Sequence, residues 1–213
     1  THARYFKRLL NTLSAIIDPV TGMAAYSVSH KVLNTNQFGL PHSRPRVFIV
    51  GMKISTKEKA FKWPKGTNHK DLEAILGPIN KKFAKKPDLG SLAPFQIANL
   101  MTGIDMIVKK GGLPLEETWF IDIHASKTRE RPQGNVPVLD EARAGLKGFW
   151  VSNRGSLLTT SQMLALQGIL PGKLVRPVDD ATEKQFDCAI GNAVSVPVLR
   201  AILVNVCKSI GYI

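Results

Sequence analysis

Cysteine is nearly absent from this chain: 213 residues hold two, Cys188 and Cys207. Both fall in apolar stretches that read as helix. Two such thiols build neither a disulfide frame nor a zinc site, and they suit a reducing compartment. Long apolar runs are missing too. No stretch reaches the ~18 consecutive apolar residues of a membrane span. The first residues lack the charged-then-apolar pattern of a secretory signal. Acidic side chains are the third shortage, 16 against 29 lysines and arginines, which leaves a net charge of +13. What remains is ordinary: 44% hydrophobic residues can form a packed core in one medium domain or two small ones.

The basic surplus is spread along the chain. Residues 1–52 carry six basic and one acidic residue, residues 53–150 seventeen and eleven, and residues 151–213 six and four. A surplus of this size favours a polyanion partner, because each neutralised phosphate releases counterions. A soluble protein with charge all round is the plainer alternative. Lysine pairs such as Lys81-Lys82 and Lys85-Lys86 fit that alternative as solvated loop.

Periodicity divides the chain in three. Tyr5, Phe6, Leu9, Leu10, Leu13, Ile16 and Ile17 form one apolar stripe at helical spacing, ended by Asp18-Pro19. Tyr26, Val28, His30 and Val32 alternate with polar residues as in a half-buried strand. Val47 to Val50 is a short apolar run closed by Gly51, as expected of a strand buried on both faces. Together they predict the late edge of an α/β sheet. Residues 53–150 read as a separate small lobe. It has a lysine-bearing connection with Trp63 and Pro64, a short helix from Asp71 to Leu76 stopped by Gly77-Pro78, and a second helix from Ile97 to Val108. A short strand follows at Trp119 to Ile123, then a polar Arg/Gly/Pro-rich stretch. Residues 151–213 return as helices at Ser161–Gln167, Ala181–Ile190 and Val196–Ile210, with Pro197 in a first turn, where proline is tolerated.

The densest chemical signal is Asn36-Gln-Phe-Gly-Leu-Pro-His-Ser-Arg-Pro-Arg-Val-Phe-Ile-Val-Gly51. Arg44 and Arg46 stand two apart in an extended segment, so both side chains project to one face. Two forked guanidiniums at the mouth of a strand suit a phosphate or the carbonyl edge of a base. On spacing alone, surface arginines ahead of a buried strand remain an equal reading.

This block resembles the Phe-Gly-Val-Pro-Gln-x-Arg-x-Arg block of the cytosine-5 DNA methyltransferases. Two further segments match that family in order. Leu158-Thr-Thr-Ser-Gln-Met-Leu-Ala-Leu-Gln-Gly-Ile169 is similar to its Leu-Thr-x-Arg-Glu-x-x-x-Leu-Gln-Gly-Phe block, and Ile190-Gly-Asn-Ala-Val-Ser195 to its closing Gly-Asn-(Ala/Ser)-Val block. The similarity covers roughly residues 1–51 and 150–209 and is strong because three blocks occur in sequence. It implies an α/β fold: the C-terminal part of a Rossmann-like methyltransferase that uses S-adenosyl-L-methionine, with residues 53–150 as an inserted target-recognition lobe. It implies methyl transfer to C5 of a flipped cytosine in double-stranded DNA, inside the cell and with its DNA. The family's Gly-rich cofactor loop, Pro-Cys-Gln nucleophile and Glu-Asn-Val acid do not occur here. The chain is therefore expected to be a fragment or one subunit of a split enzyme, inactive alone and dependent on a missing N-terminal catalytic half.

By the same resemblance, Arg46 matches the arginine that holds the cytosine carbonyl, and Arg44 its neighbour that orients the site. Asn192 and Val194 match residues at the cofactor edge. The local pattern also allows Asn192 to be an N-cap. His42 replaces the usual glutamine, as a phosphate or loop contact or as a turn-capping surface histidine. Arg129, Arg131, Arg143, Lys147 and Arg154 are candidate DNA contacts, since Arg reads guanine edges and Lys meets phosphates. Ser156 and Ser161-Gln162 depart from arginine and Arg-Glu positions that organise the recognition lobe in the family. Two alternatives stay open: a tRNA cytosine-5 methyltransferase, and a non-catalytic DNA-binding derivative supported by those departures.

Overall fold

The amphipathic stripe at the start of the chain forms α1 (His2–Ser14). The helix stops three residues before the expected Ile17. Asp18 precedes Pro19, which disfavours helical backbone. The chain instead turns back on itself, Ala25 N donating to Ile16 O at 2.8 Å, with Val20 N on the Asp18 carboxylate. The structure is a computed structural model that describes residues 2–56, 58–67, 71–79, 87, 89–125, 130–131, 136–170, 172, 174 and 182–213.

The two predicted strands form one antiparallel hairpin, β1 (Tyr26–Asn34) with β2 (Pro45–Lys53), in register from Tyr26 opposite Lys53 to Asn34 opposite Pro45. Two expectations for β2 are corrected. It runs through Gly51 to Lys53, and it is not buried on both faces: Val47 is 52% exposed. Among the described residues β2 pairs with β1 only, so its outer edge has no partner strand.

Beyond the hairpin come α2 (Leu72–Leu76), α3 (Pro94–Lys109), β3 (Phe120–Ile121), β4 (Glu130–Arg131), α4 (Glu141–Ala144), β5 (Trp150–Val151) and β6 (Ser156–Leu157), then α5 (Thr160–Leu166), α6 (Glu183–Asn192) and α7 (Val196–Ser209). The second sheet is antiparallel throughout, in the order β4-β3-β5-β6. Helix ends follow the local chemistry. Asp71, Asp140, Thr159 and Thr182 each accept a backbone N–H at an N-terminus, and Gly77 ends α2 at φ +76.

Three apolar clusters hold these elements. One packs β1, β2 and α7 together with Phe61 and Trp63. A second sets α3 against Ile121, Ile123 and Trp150. The largest joins Leu72, Leu76, Phe120 and Leu139 to Met163, Leu166 and Ile190. It draws residues from both sides of position 150, because α2, α5 and α6 share one interior.

Candidate functional site

The connection between β1 and β2 is laced to the end of β1. Gly39 takes φ +82, a left-handed conformation that other residues resist. Thr35 Oγ1 donates to His42 O at 2.6 Å, and Asn34 Oδ1 accepts from Arg44 N at 2.7 Å. This fixes the backbone on both sides of His42 and turns the Arg44 side chain inward.

Arg44 is 5% exposed and its guanidinium is spent on three backbone carbonyls. Nη1 donates to Leu139 O, and Nη2 to Gly191 O at 2.8 Å and Ala193 O at 3.3 Å. One side chain thus ties the hairpin, the segment before α4 and the α6–α7 junction together. Burial lowers its pKa from the ordinary arginine value, and the nearby Arg46 charge adds to this, with Asp140 opposing. Arg46 differs in environment. It is exposed, and its Nη1 touches only Pro45 O, at 2.8 Å.

Arg46 lines a cavity of about 380 Å³ with Phe48, Asn192, Val194 and Val198. Arg44 lines it as well, so the structure brings four of the predicted site residues, up to 150 positions apart in sequence, to one space. Asn192 is the last residue of α6 rather than an N-cap. Ser195 holds the N-cap position of α7, and the Asn192 amide donates to Glu141 Oε2 at 2.8 Å. The close approach at this corner needs a glycine, because a Cβ on Gly191 would lie 2.3 Å from Asp140 O. Gln167, fully buried, braces the same corner: Nε2 donates to Ile190 O at 3.2 Å, and Oε1 accepts from Ser195 Oγ at 3.2 Å.

His42 does not sit at the surface. It is 1% exposed and, among the described residues, neither ring nitrogen has a partner. Burial, then the charges of Arg44 and Arg46, lower its pKa from 6.5 to about 4. Neither the phosphate contact nor the turn-capping surface role fits that interior position. Arg154 is likewise internal, 6% exposed, with Nη2 on Glu73 Oε2 at 2.7 Å and Gly77 O at 2.6 Å. Arg143 pairs with Asp122 at 2.9 Å. Lys147 bridges Glu183 at 2.5 Å and Asp187 at 2.7 Å. Burial opposes the Lys147 charge, but those carboxylates outweigh it and hold its pKa above the ordinary value. Arg131 lies in β4 opposite Phe120, and Arg129 lies outside the described residues.

The departures at Ser156 and Gln162 acquire a physical meaning here. Arg154, two positions before Ser156, reaches α2 through Glu73, and Gln162 Nε2 donates to Leu76 O at 2.8 Å. Both join the returning segment to α2. Sequence reasoning missed Glu73 and Asp187, single carboxylates without motif context. It also passed over Gln167, although the Leu-Gln-Gly block contained it.

The profile described as C-5 cytosine-specific DNA methylase matches residues 2–208. The chain is 30% identical over 212 residues to the Type II methyltransferase M.HaeII of Haemophilus aegyptius, covering 94% of this chain and 56% of that protein. It is 27% identical over 209 residues to M.NgoBI of Neisseria gonorrhoeae, covering 93% and 54%. The chain thus spans about half the length of these curated relatives. A solved Entamoeba histolytica methyltransferase superposes with a TM-score of 0.50 at 14% identity, over 95% of this chain and 57% of that one, a likeness of fold.

Proposed function

The chain belongs to the C-5 cytosine-specific DNA methylase family, and from this we propose that it supplies part of the base and cofactor site of a DNA cytosine-5 methyltransferase. The observation that carries the proposal is the convergence of Arg46, Asn192 and Val194 on one cavity. The target carbon is stacked inside duplex DNA, so the base must be turned out to react. An exposed guanidinium with a single backbone contact is free to donate to the carbonyl of such a base. As a nucleophile adds to the ring, negative charge grows on that oxygen, and a preplaced donor stabilises it more than it stabilises the ground state. Arg44 holds the surrounding backbone.

S-adenosyl-L-methionine is the donor that the family implies. The residues present suit one edge of it: Val194, Val198 and Phe48 give an apolar wall, and Asn192 gives a polar group at the rim. When bound, it supplies the electrophilic methyl group. The residues of this chain orient and shield, and neither cysteine is a candidate nucleophile. Cys188 packs beside Gly145, and Cys207 lies on α7, away from the cavity. The nucleophile and the acid come from a segment that these 213 residues do not contain. Double-stranded DNA is the proposed substrate, which places the activity wherever the cell keeps its DNA.

The test is transfer of labelled methyl groups to duplex DNA and, separately, to tRNA, by the chain joined to a segment bearing the Pro-Cys nucleophile. Incorporation into cytosine C5 of DNA is expected. Incorporation into tRNA alone, or none with intact binding of both ligands, overturns the proposal.

A further inference from the structure

The lysine-bearing connection between hairpin and lobe is a built surface. Residues 58–67 form a strap whose Phe61 and Trp63 rings meet edge to face at 5.1 Å and pack on the hairpin–α7 cluster, with Pro64 buried beside them. Its backbone is fixed at three places. Glu58 N and Lys59 N both donate to Ser209 O at 3.0 Å, Asn205 Nδ2 donates to Lys62 O at 2.8 Å, and Thr67 N donates to Gln37 O at 2.6 Å.

With the apolar residues inward, Lys59, Lys62 and Lys65 are all exposed. Lys59 and Lys62 line a cavity of about 550 Å³ with Lys208 of α7. Lys65 lines another, of about 810 Å³, with Lys31 of β1 and with Asn34, Asn36 and Gln37. Among the described residues no carboxylate lines either cavity. The strap's one carboxylate, Glu58, lies against Gly211. Among the described residues none of these five lysines has an ion-pair partner. This differs from Arg143, Lys147 and Arg154, each of which is paired with a carboxylate of the protein.

We propose that the strap is a sequence-independent rail for the phosphate backbone of duplex DNA, with Lys59, Lys62 and Lys65 as its contacts and Lys31 and Lys208 at its flanks. The proposal rests on the DNA reading above and adds a binding surface to it. Three residues of extended chain span at most about 10 Å. One DNA strand carries a charge every ~3.4 Å along the axis, so lysines three residues apart stand within about three axial phosphate steps of each other. Lysine suits this role as a flexible point charge with no preference among bases. A strap pinned at three points presents those charges without ordering a loop upon binding.

The experiment is binding of a fluorescent duplex, across a salt series, to the chain joined to a segment bearing the Pro-Cys nucleophile, for wild type and for K59Q/K62Q/K65Q, with melting curves in parallel. Each phosphate contact contributes about 0.9 to the slope of log affinity against log salt. The triple variant is expected to lose roughly two to three from that slope, equally on duplexes of unrelated sequence, and the K59R/K62R/K65R variant to retain it. An unchanged slope in a variant that melts like wild type overturns the rail while leaving the DNA reading in place. A loss confined to one sequence overturns it as well. Wild type that binds no duplex at all overturns both. If the triple variant melts early, K62Q and K65Q are compared singly, each expected to remove about one from the slope; no change in either counts against the rail.

Discussion

Two arginines two residues apart do different work because one is buried and the other is not. Replacing Arg44 by Ala strips partners from three carbonyls, at ~1–3 kcal/mol for each group left unsatisfied. The R44A variant is expected to lose about 3 kcal/mol or more in denaturant unfolding, and R44K to recover part of it, since an ammonium cannot span the same fork. Replacing Arg46 by Ala should leave the unfolding curve in place, because its one bond is to its own neighbour, Pro45 O. In the assembled enzyme it should lower kcat by about 10²–10³-fold, the loss typical of a transition-state donor. His42 offers a pH test. Its folded-state pKa is depressed to about 4 from 6.5, so the unfolded chain takes up a proton first as pH falls. The associated stability is whole above pH 6.5 and is lost down to about pH 4, at roughly 1.4 kcal/mol per pH unit. The H42Q variant should flatten that slope in urea melts, and an identical slope in both proteins would refute the assignment.

At the scale of elements, the corner that carries the cavity depends on helices lying unusually close. A Cβ on Gly191 would meet the Asp140 carbonyl at 2.3 Å, and one on Gly145 would meet Cys188 Sγ at 2.5 Å. The first neighbour is backbone and cannot swing away. G191A is therefore expected to cost about 1–3 kcal/mol by overpacking, and to weaken cofactor binding by moving Asn192, both readable in one ligand-dependent melting series. The return segment is joined to α2 by charge. Burial pushes the Glu73 carboxyl up, but hydrogen bonds from Arg154 and Thr118 outweigh it and hold its pKa below 4.5. That contribution is present above pH 4.5 and disappears as pH falls through the lower folded-state value, so E73Q should show less acid sensitivity there than wild type. Most of these elements were legible beforehand. The helix stripes, the Gly77 stop and the two strands follow from period and turn chemistry, which are local; the pairing of those strands as an antiparallel hairpin was not foreseen. The burial of His42 and Arg154 was not legible, because their partners Val136, Glu73 and Gly77 are distant in sequence. The same limit hid the division of labour between Arg44 and Arg46: spacing gave their common approach, and only packing separated them.

For the molecule as a whole, the uncovered surfaces are the telling feature. Helix α1 buries its apolar stripe only in part: Phe6, Leu10 and Leu13 are half-buried, Phe6 meeting His30 edge to face, while Tyr5 is 70% exposed. Val32 and Val47, opposite one another across the hairpin, and Leu199 and Leu203 on α7 are also exposed. Apolar area of this kind on a chain about half as long as its relatives is expected to drive association. Residues 1–213 alone should self-associate in light scattering, and a monodisperse monomer would contradict that. The measurement that reaches the centre of the account is methyl transfer from labelled S-adenosyl-L-methionine to cytosine in duplex DNA. It would compare residues 1–213 alone, the same residues joined to a segment bearing the Pro-Cys nucleophile, and that assembly with R46A. The account predicts no transfer in the first case, transfer in the second, and a loss of about 10²-fold or more in the third. Transfer by residues 1–213 alone, or an R46A assembly as active as wild type, would contradict it.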